Sequence, residues 1–315
     1  MTEHSQSPQF ITVDQEHLGG HAVHWQLLST QPDIDVPKWL QQALTDANMP
    51  YGLNHDSGHL PQDSWLINGP DQMIQISQLI KVNSQQQPVN LLTAFPIVNS
   101  PYTIQGTIKQ IICCKEAMQA VLNISTSDNA TIYAFDNLYT VNQNQYKQDQ
   151  VYNIELGGFA YGLETVKPGE TIVVDDPAAI KHHRALNEIL ANNNGIVPDD
   201  LQAQIAAWQP QTEEDKAPVT LDLSKMVAYL YGDHLGQEDE AWFQGEILGL
   251  SQTNFMDKTI DLIDVVIIRE QNTKPVVIRL AYLNSDKQTN SFNVGDYIRG
   301  NIWIQATIYA TNTRE

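Results

Sequence analysis

The same short phrase opens two separate β-patterned stretches of this chain. Thr103-Ile104-Gln105-Gly106-Thr107-Ile108 and Ala241-Trp242-Phe243-Gln244-Gly245-Glu246-Ile247 share a Gln-Gly-x-Ile core. Each leads into segments rich in β-branched and aromatic residues, bounded by Asn, Asp or Lys-Gln clusters, which is how short antiparallel strands look. The pattern predicts strands at 103–114, 120–126, 131–141 and 151–163 in the first stretch. In the second it predicts them at 242–250, 260–269, 275–283 and 297–310. The endings correspond as well: residues 147–161 and 293–309 each read as a short polar loop running into a long closing strand. Matched openings and endings predict an internal duplication.

A glycine just inside a first strand permits the sharp bend that a small closed barrel needs. With four or five strands per stretch, the two regions resemble tandem OB-fold-like barrels, covering roughly 101–174 and 241–308. The resemblance implies oligonucleotide binding as one function. In the closing phrase, Gly295-Asp296 makes a turn and Gly300 a kink, so that Ile298, Ile302 and Ile304 point inward and Trp303 outward. Trp303 beside Tyr297 is then a candidate contact anchor for a partner, or packs under a neighbouring segment.

The expected fold class is α+β, predominantly antiparallel β. Residues 1–98 read as an α+β segment with a strand at 21–29 and a helix at 37–47, where Trp39, Leu40, Ala43, Leu44 and Ala47 make one apolar stripe. Residues 99–174 form the first β domain and 219–315 the second, opening with a short helix at 221–230. Between them, 175–218 reads as a helical connector, with helical spacing at 177–191 and 198–208, and an acidic linker.

Charge bears on partners. With 37 acidic and 17 basic residues the formal net charge is -20, which repels a bare phosphate backbone and disfavours ordinary nucleic-acid binding. Such acidity suits solubility, a basic protein partner, or imitation of nucleic acid. The densest acidic patch, Asp233, Glu238, Asp239 and Glu240 with His234, is the candidate partner-contact surface together with Tyr297 and Trp303. The start, MTEHSQSPQF, lacks a basic region before an apolar run, and the sequence predicts a cytoplasmic protein. Cys113 and Cys114 are adjacent, so on a strand they point to opposite faces and are poorly placed to bridge each other.

Candidate chemistry is weighed against simpler readings. His17, His21 and His24 have ligand-like spacing, but Gly19-Gly20 interrupts any helix and no His-Glu-x-x-His phrase follows, so no metal is expected. Asn54-His55-Asp56-Ser57-Gly58 offers a His, an acid and a Ser for a hydrolase, yet these are the usual turn formers and no Gly-x-Ser-x-Gly elbow is present. Asp175-Asp176-Pro177 before His182-His183-Arg184 reads as a capped helix start. No catalytic residue or cofactor is expected. The leading expectation is a non-enzymatic protein-binding module, in one form an inhibitor or immunity-type protein against a basic partner. The alternatives are an OB-type oligonucleotide binder, using Tyr133, Phe135, Tyr139, Tyr161, Trp303 and Tyr309 for stacking and cations such as Lys109, Lys115, Lys147, Arg269, Lys274, Arg279 and Arg299, and a hydrolase using His55 and Asp56.

Overall fold

The computed structural model describes residues 8–14, 24–46, 51–52, 63–70, 72–114, 118–232, 237–270, 273–284 and 291–309. The protein is mostly β with few helices, as the composition of its segments predicts, and its largest element is a ten-stranded mixed sheet. The chain divides into two compact units, Met1–Thr165 with Val227–Glu315, and Val166–Met226. Among the described residues no helix is long and apolar enough to cross a membrane.

In the larger unit, β6 (Thr103–Cys114), β7 (Gln119–Thr126) and β8 (Thr131–Asp136) form an antiparallel meander, and β9 (Val151–Thr165) returns to pair with the start of β6. The second half repeats this scheme with β13 (Glu240–Phe255), β14 (Lys258–Ile268), β15 (Val276–Tyr282) and β16 (Tyr297–Ile308), the last returning to β13. The closing strands β9 and β16 pair with each other, and each then runs parallel to the third strand of the other half. Two circuits result, β6-β7-β8-β16-β9 and β13-β14-β15-β9-β16, each closed by a strand from the other half. Their inward faces merge into one core that includes Ile108, Leu122, Ile154, Phe243, Val265, Ile278 and Ile302.

The repeated glycines explain themselves at this point. A Cβ on Gly245 would lie 1.7 Å from the Val266 carbonyl oxygen, and one on Gly106 would lie 2.9 Å from Ile124 Cγ2. Both sit where a first strand passes from its closing partner to its hairpin partner, and the backbones approach too closely there for a side chain.

Helix α1 (Pro32–Thr45) buries Trp39 and Ala43 as the stripe predicts, but it begins a turn earlier than Pro37. Pro32 occupies the first turn, where a missing N–H costs nothing, and Gln31 accepts from the amides of Ile34 and Asp35. The expected strand at 21–29 is corrected: His24–Leu27 is a 3-10 turn, and 21–23 lie outside the described residues. The apolar runs that follow become β3 (Ser64–Gly69), β4 (Ile74–Val82) and β5 (Pro88–Val98), an antiparallel sheet completed by β2 (Tyr51–Gly52). A second core joins this region to the outer faces of the circuits through Trp25, Trp39, Ile76, Phe95, Phe135, Phe159, Phe255 and Trp303. On the far side, β1 (Gln9–Thr12) runs parallel to β6.

The smaller unit holds β10 (Thr171–Val174) paired with β11 (Val219–Asp222), and helices α3 (Pro177–Asn192) and α4 (Leu201–Ala207) packed through Ala185, Ile189 and Ile205. Asp176 caps α3 by accepting from the Ala179 amide at 2.8 Å, as the Asp-Pro phrase predicts. The short helix expected at 221–230 is corrected. Its first residues belong to β11, and its last form β12 (Ala228–Tyr231), an edge strand on β13.

Candidate functional site

The partner-contact residues expected from sequence separate into two places. Glu240 and Trp303 face each other across the β13–β16 ladder, and Glu246 and Tyr297 pair at its other end. Asp233 and His234 lie outside the described residues.

At the first place, Trp303 points away from the inner core, as expected, and is fully buried because it packs under a neighbouring segment. The ladder slips between Asn301 and Ile302, and both faces of β16 are covered beyond the slip: Ile302 and Ile304 join the inner core, and Trp303 joins the core under α1. Its indole lies stacked between His24, with centroids 4.0 Å apart and planes at 12°, and Phe159 at 5.7 Å and 19°. Its Nε1 donates to Asp239 Oδ2 at 2.7 Å, and Asp239 is itself fully buried. Glu238 precedes it at intermediate exposure.

His24 Nε2 sits 3.2 Å from Glu240 Oε1, and the Tyr161 hydroxyl donates to that same oxygen. Burial and the neighbouring Glu240 and Asp239 carboxylates push the Tyr161 phenol far above its ordinary range, so it stays protonated and acts only as a donor. A protonated phenol, a wholly buried imidazole and a carboxylate engaged by both contain no activated nucleophile. The cluster ties the turn at 24–27 to β9, β13 and β16, leaving Glu240 and Tyr161 partly open to solvent. His24 and Glu240 are 216 residues apart, and no sequence spacing links them.

At the second place, Arg269 Nη2 meets Glu246 Oε2 at 2.6 Å, and the Tyr297 hydroxyl accepts from Arg269 Nη1 at 3.2 Å. In this trio Arg269 is exposed and Glu246 and Tyr297 are half-buried, and it is separate from the His24 cluster.

A further titratable group lies inside the first circuit. Asp136, 1% exposed, accepts from the Tyr146 hydroxyl at 2.5 Å and from the Leu138 amide at 3.0 Å. Burial pushes its pKa up to about 7 against the opposing pull of these donors. It anchors the chain after β8, where the expected strand 131–141 stops and a short helix, α2, covers 139–142 instead.

Of the aromatics named for base stacking, Phe135, Tyr139 and Trp303 are buried, whereas Tyr161 and Tyr309 are exposed. Four of their cationic counterparts are engaged, Lys109 with Asp149 at 3.4 Å, Arg279 with Asp264 at 2.8 Å, Arg299 with Glu164 at 2.5 Å, and Arg269 as above, whereas Lys147 and Lys274 make no ion pair among the described residues. Lys115, His17, His21, His55 and Asp56 lie outside the described residues. Among the described residues no group of three or more His, Cys, Asp or Glu is placed to hold a metal. No family model, curated protein or solved structure matches the chain.

Proposed function

We propose that this protein is a non-catalytic binding protein for a basic protein partner, and that its two circuits are diverged copies of one OB-like unit, each completed by the other's closing strand. The repeated meander, the repeated return to the first strand and the parallel third-strand pairing support the duplication. One observation carries the functional reading: Lys109, Arg269, Arg279 and Arg299 are each paired with a carboxylate. Pairing neutralises four of the cations that a phosphate backbone would need, leaving Lys147 and Lys274, while the excess of acids behind the net charge of -20 remains. The buried state of Phe135, Tyr139 and Trp303 further weakens the oligonucleotide alternative.

Capture from extract of the native cell, at low and high salt and with and without nuclease, tests this reading, followed by reconstitution with the purified candidate. The expected outcome is one basic protein, released by salt and insensitive to nuclease, that rebinds in purified form. Recovery that disappears with nuclease, or saturable quenching of Tyr fluorescence by single-stranded DNA at low salt, favours the oligonucleotide alternative instead.

A further inference from the structure

In the second circuit the outer edge of β13 is covered by β12, with Tyr229 opposite Phe243 and Leu230 opposite Trp242. The aligned Gln105-Gly106 and Gln244-Gly245 phrases place Thr103 where Trp242 stands. At 103–105, however, β6 pairs with β9 on one side and with no strand on the other among the described residues. The Leu156 amide donates to the Tyr102 carbonyl at 3.2 Å, so Tyr102 directs its main chain at β9, and Thr103, one residue on, directs its N–H and C=O to the uncovered side. Gln105 points the same way, and its carbonyl accepts from the Ser127 amide at 3.2 Å. Thr103 and Gln105 are exposed, and a groove of about 420 Å³ runs along them past Ile104, Asp128 and Lys274.

The chain just before β6 is not free to do what β12 does. β12 immediately precedes β13, whereas the element immediately before β6 is β5, which ends at Val98 and pairs with β4 from Pro88 to Val98. Residues 99–102 between them are too few to make a strand and turn back. A second copy of this chain carries the same net charge of -20 and is repelled, while a basic polypeptide is attracted. The groove itself holds one acid, Asp128, and one base, Lys274, so recognition there falls to the main chain, as it does wherever a strand adds to a sheet edge. We propose that Thr103–Gln105 is a strand-docking edge, and that an extended segment of the basic partner adds there antiparallel to β6, in the place that β12 holds in the other half. The inference rests on the binding reading above and names the point of contact.

The test uses the full chain at low salt with a blocked Lys-Val-Lys-Val-Lys-Val peptide and two forms of it, N-methylated at every Lys or at every Val. On the pattern of β12, the lysines take the solvent-facing place of Leu230 and turn their N–H groups to β6, and the valines take the inward place of Tyr229. Saturable binding is expected that slows exchange of the Thr103 amide at least about tenfold and survives methylation at Val but not at Lys. Thr103→Pro removes the outward N–H, leaves the pairing with β9 intact and should weaken binding by at least about tenfold, whereas Thr103→Ala should leave it unchanged. Equal binding of the two methylated forms, or undiminished binding by Thr103→Pro in a variant with an unchanged thermal transition, would overturn the proposal. So would a Thr103 amide as protected in the free chain as that of Trp242, because another segment of the chain then holds the edge, or protection that rises with protein concentration, because a second copy does. Partner capture with the same variants separates the two readings. If Thr103→Pro retains the basic partner as well as the parent chain, the edge proposal fails and the binding reading stands. If the parent chain retains no basic protein although the peptide seats on the edge, the binding reading fails and the strand-docking edge stands.

Discussion

The two halves of the large unit share their strand pairings but differ in how one matching groove is treated. In the second half, β12 lies on β13 at residues 241–244, and Tyr229 and Tyr231 line a groove of about 240 Å³ with Ile267, Ile268 and Arg269. In the first half the corresponding edge, at 103–105 of β6, carries no added strand among the described residues. The groove beside it, lined by Thr126, Ser127 and Asp128 at the matching end of β7, measures about 420 Å³. The Ser127 amide donates to the Gln105 carbonyl there at 3.2 Å. One scheme of pairing therefore tolerates a covered edge and an open one, and hydrogen-bonded closure by β9 and β16 is what the halves have in common.

The glycines test that comparison most severely. Gly245→Ala places a methyl carbon against the Val266 carbonyl and should destabilise by about 4 kcal/mol or prevent folding, whereas Gly106→Ala meets the movable Ile124 side chain and a Ser125 carbonyl oxygen that is 3.0 Å away, and should cost about 1–2 kcal/mol. Urea denaturation of both variants ranks them, and equal costs would contradict the tighter crossing in the second half.

Next in size is a pH effect confined to the first half, where Asp136 ends β8. In the folded state this carboxyl has its pKa raised to about 7, above the ordinary 3.8 that applies to the unfolded chain. Its contribution is therefore fully present below pH 3.8 and is lost as pH rises through about 7, by as much as about 4 kcal/mol. Thermal unfolding across that window should show the decline, and Asp136→Asn should flatten it.

Smaller effects sharpen the contrast at the grooves. Tyr229→Phe removes the hydroxyl that accepts from the Tyr133 amide at 3.3 Å and should cost about 1 kcal/mol by denaturant titration. Amide exchange should be at least about tenfold slower at Trp242, which β12 covers, than at Thr103 on the open edge. Breaking the exposed Lys109–Asp149 pair should shift stability by less than about 0.5 kcal/mol, the smallest change of all.

Much of the β framework was readable because local chemistry and tertiary pairing agree there. The strand expected at 103–114 forms there as β6, since its β-branched run pairs with β7 from Gly106 to Cys114. β13 runs on to Phe255, past the expected end at 250, because Ser251–Asn254 continue a hairpin whose outer residues are solvent-facing and so lack an apolar signal. β11 and β12 were mistaken for one helix because each is stabilised by a distant strand, β10 or β13, which a local window does not contain. The direction of Trp303 was legible: Ile298, Ile302 and Ile304 face the inner core and Trp303 the opposite side, where the core under α1 covers it. Of the candidate site, Asp239 and Glu240 were visible as acids, but His24 and Tyr161 reach them only through the fold.

The neighbouring cysteines of β6 give the molecule two internal reporters. Cys113 belongs to the core shared by the two circuits, and Cys114 to the small cluster that Ile11 and Val13 cover beside β1. Neither is in a disulfide and both are fully buried, one residue apart, yet they are sealed by different parts of the chain. Departure of the N-terminal strand alone bares Cys114 to a thiol reagent, while Cys113 reacts only when a circuit opens. The order in which the two are labelled therefore distinguishes peeling at the rim from melting at the centre, within a single peptide and without any introduced residue.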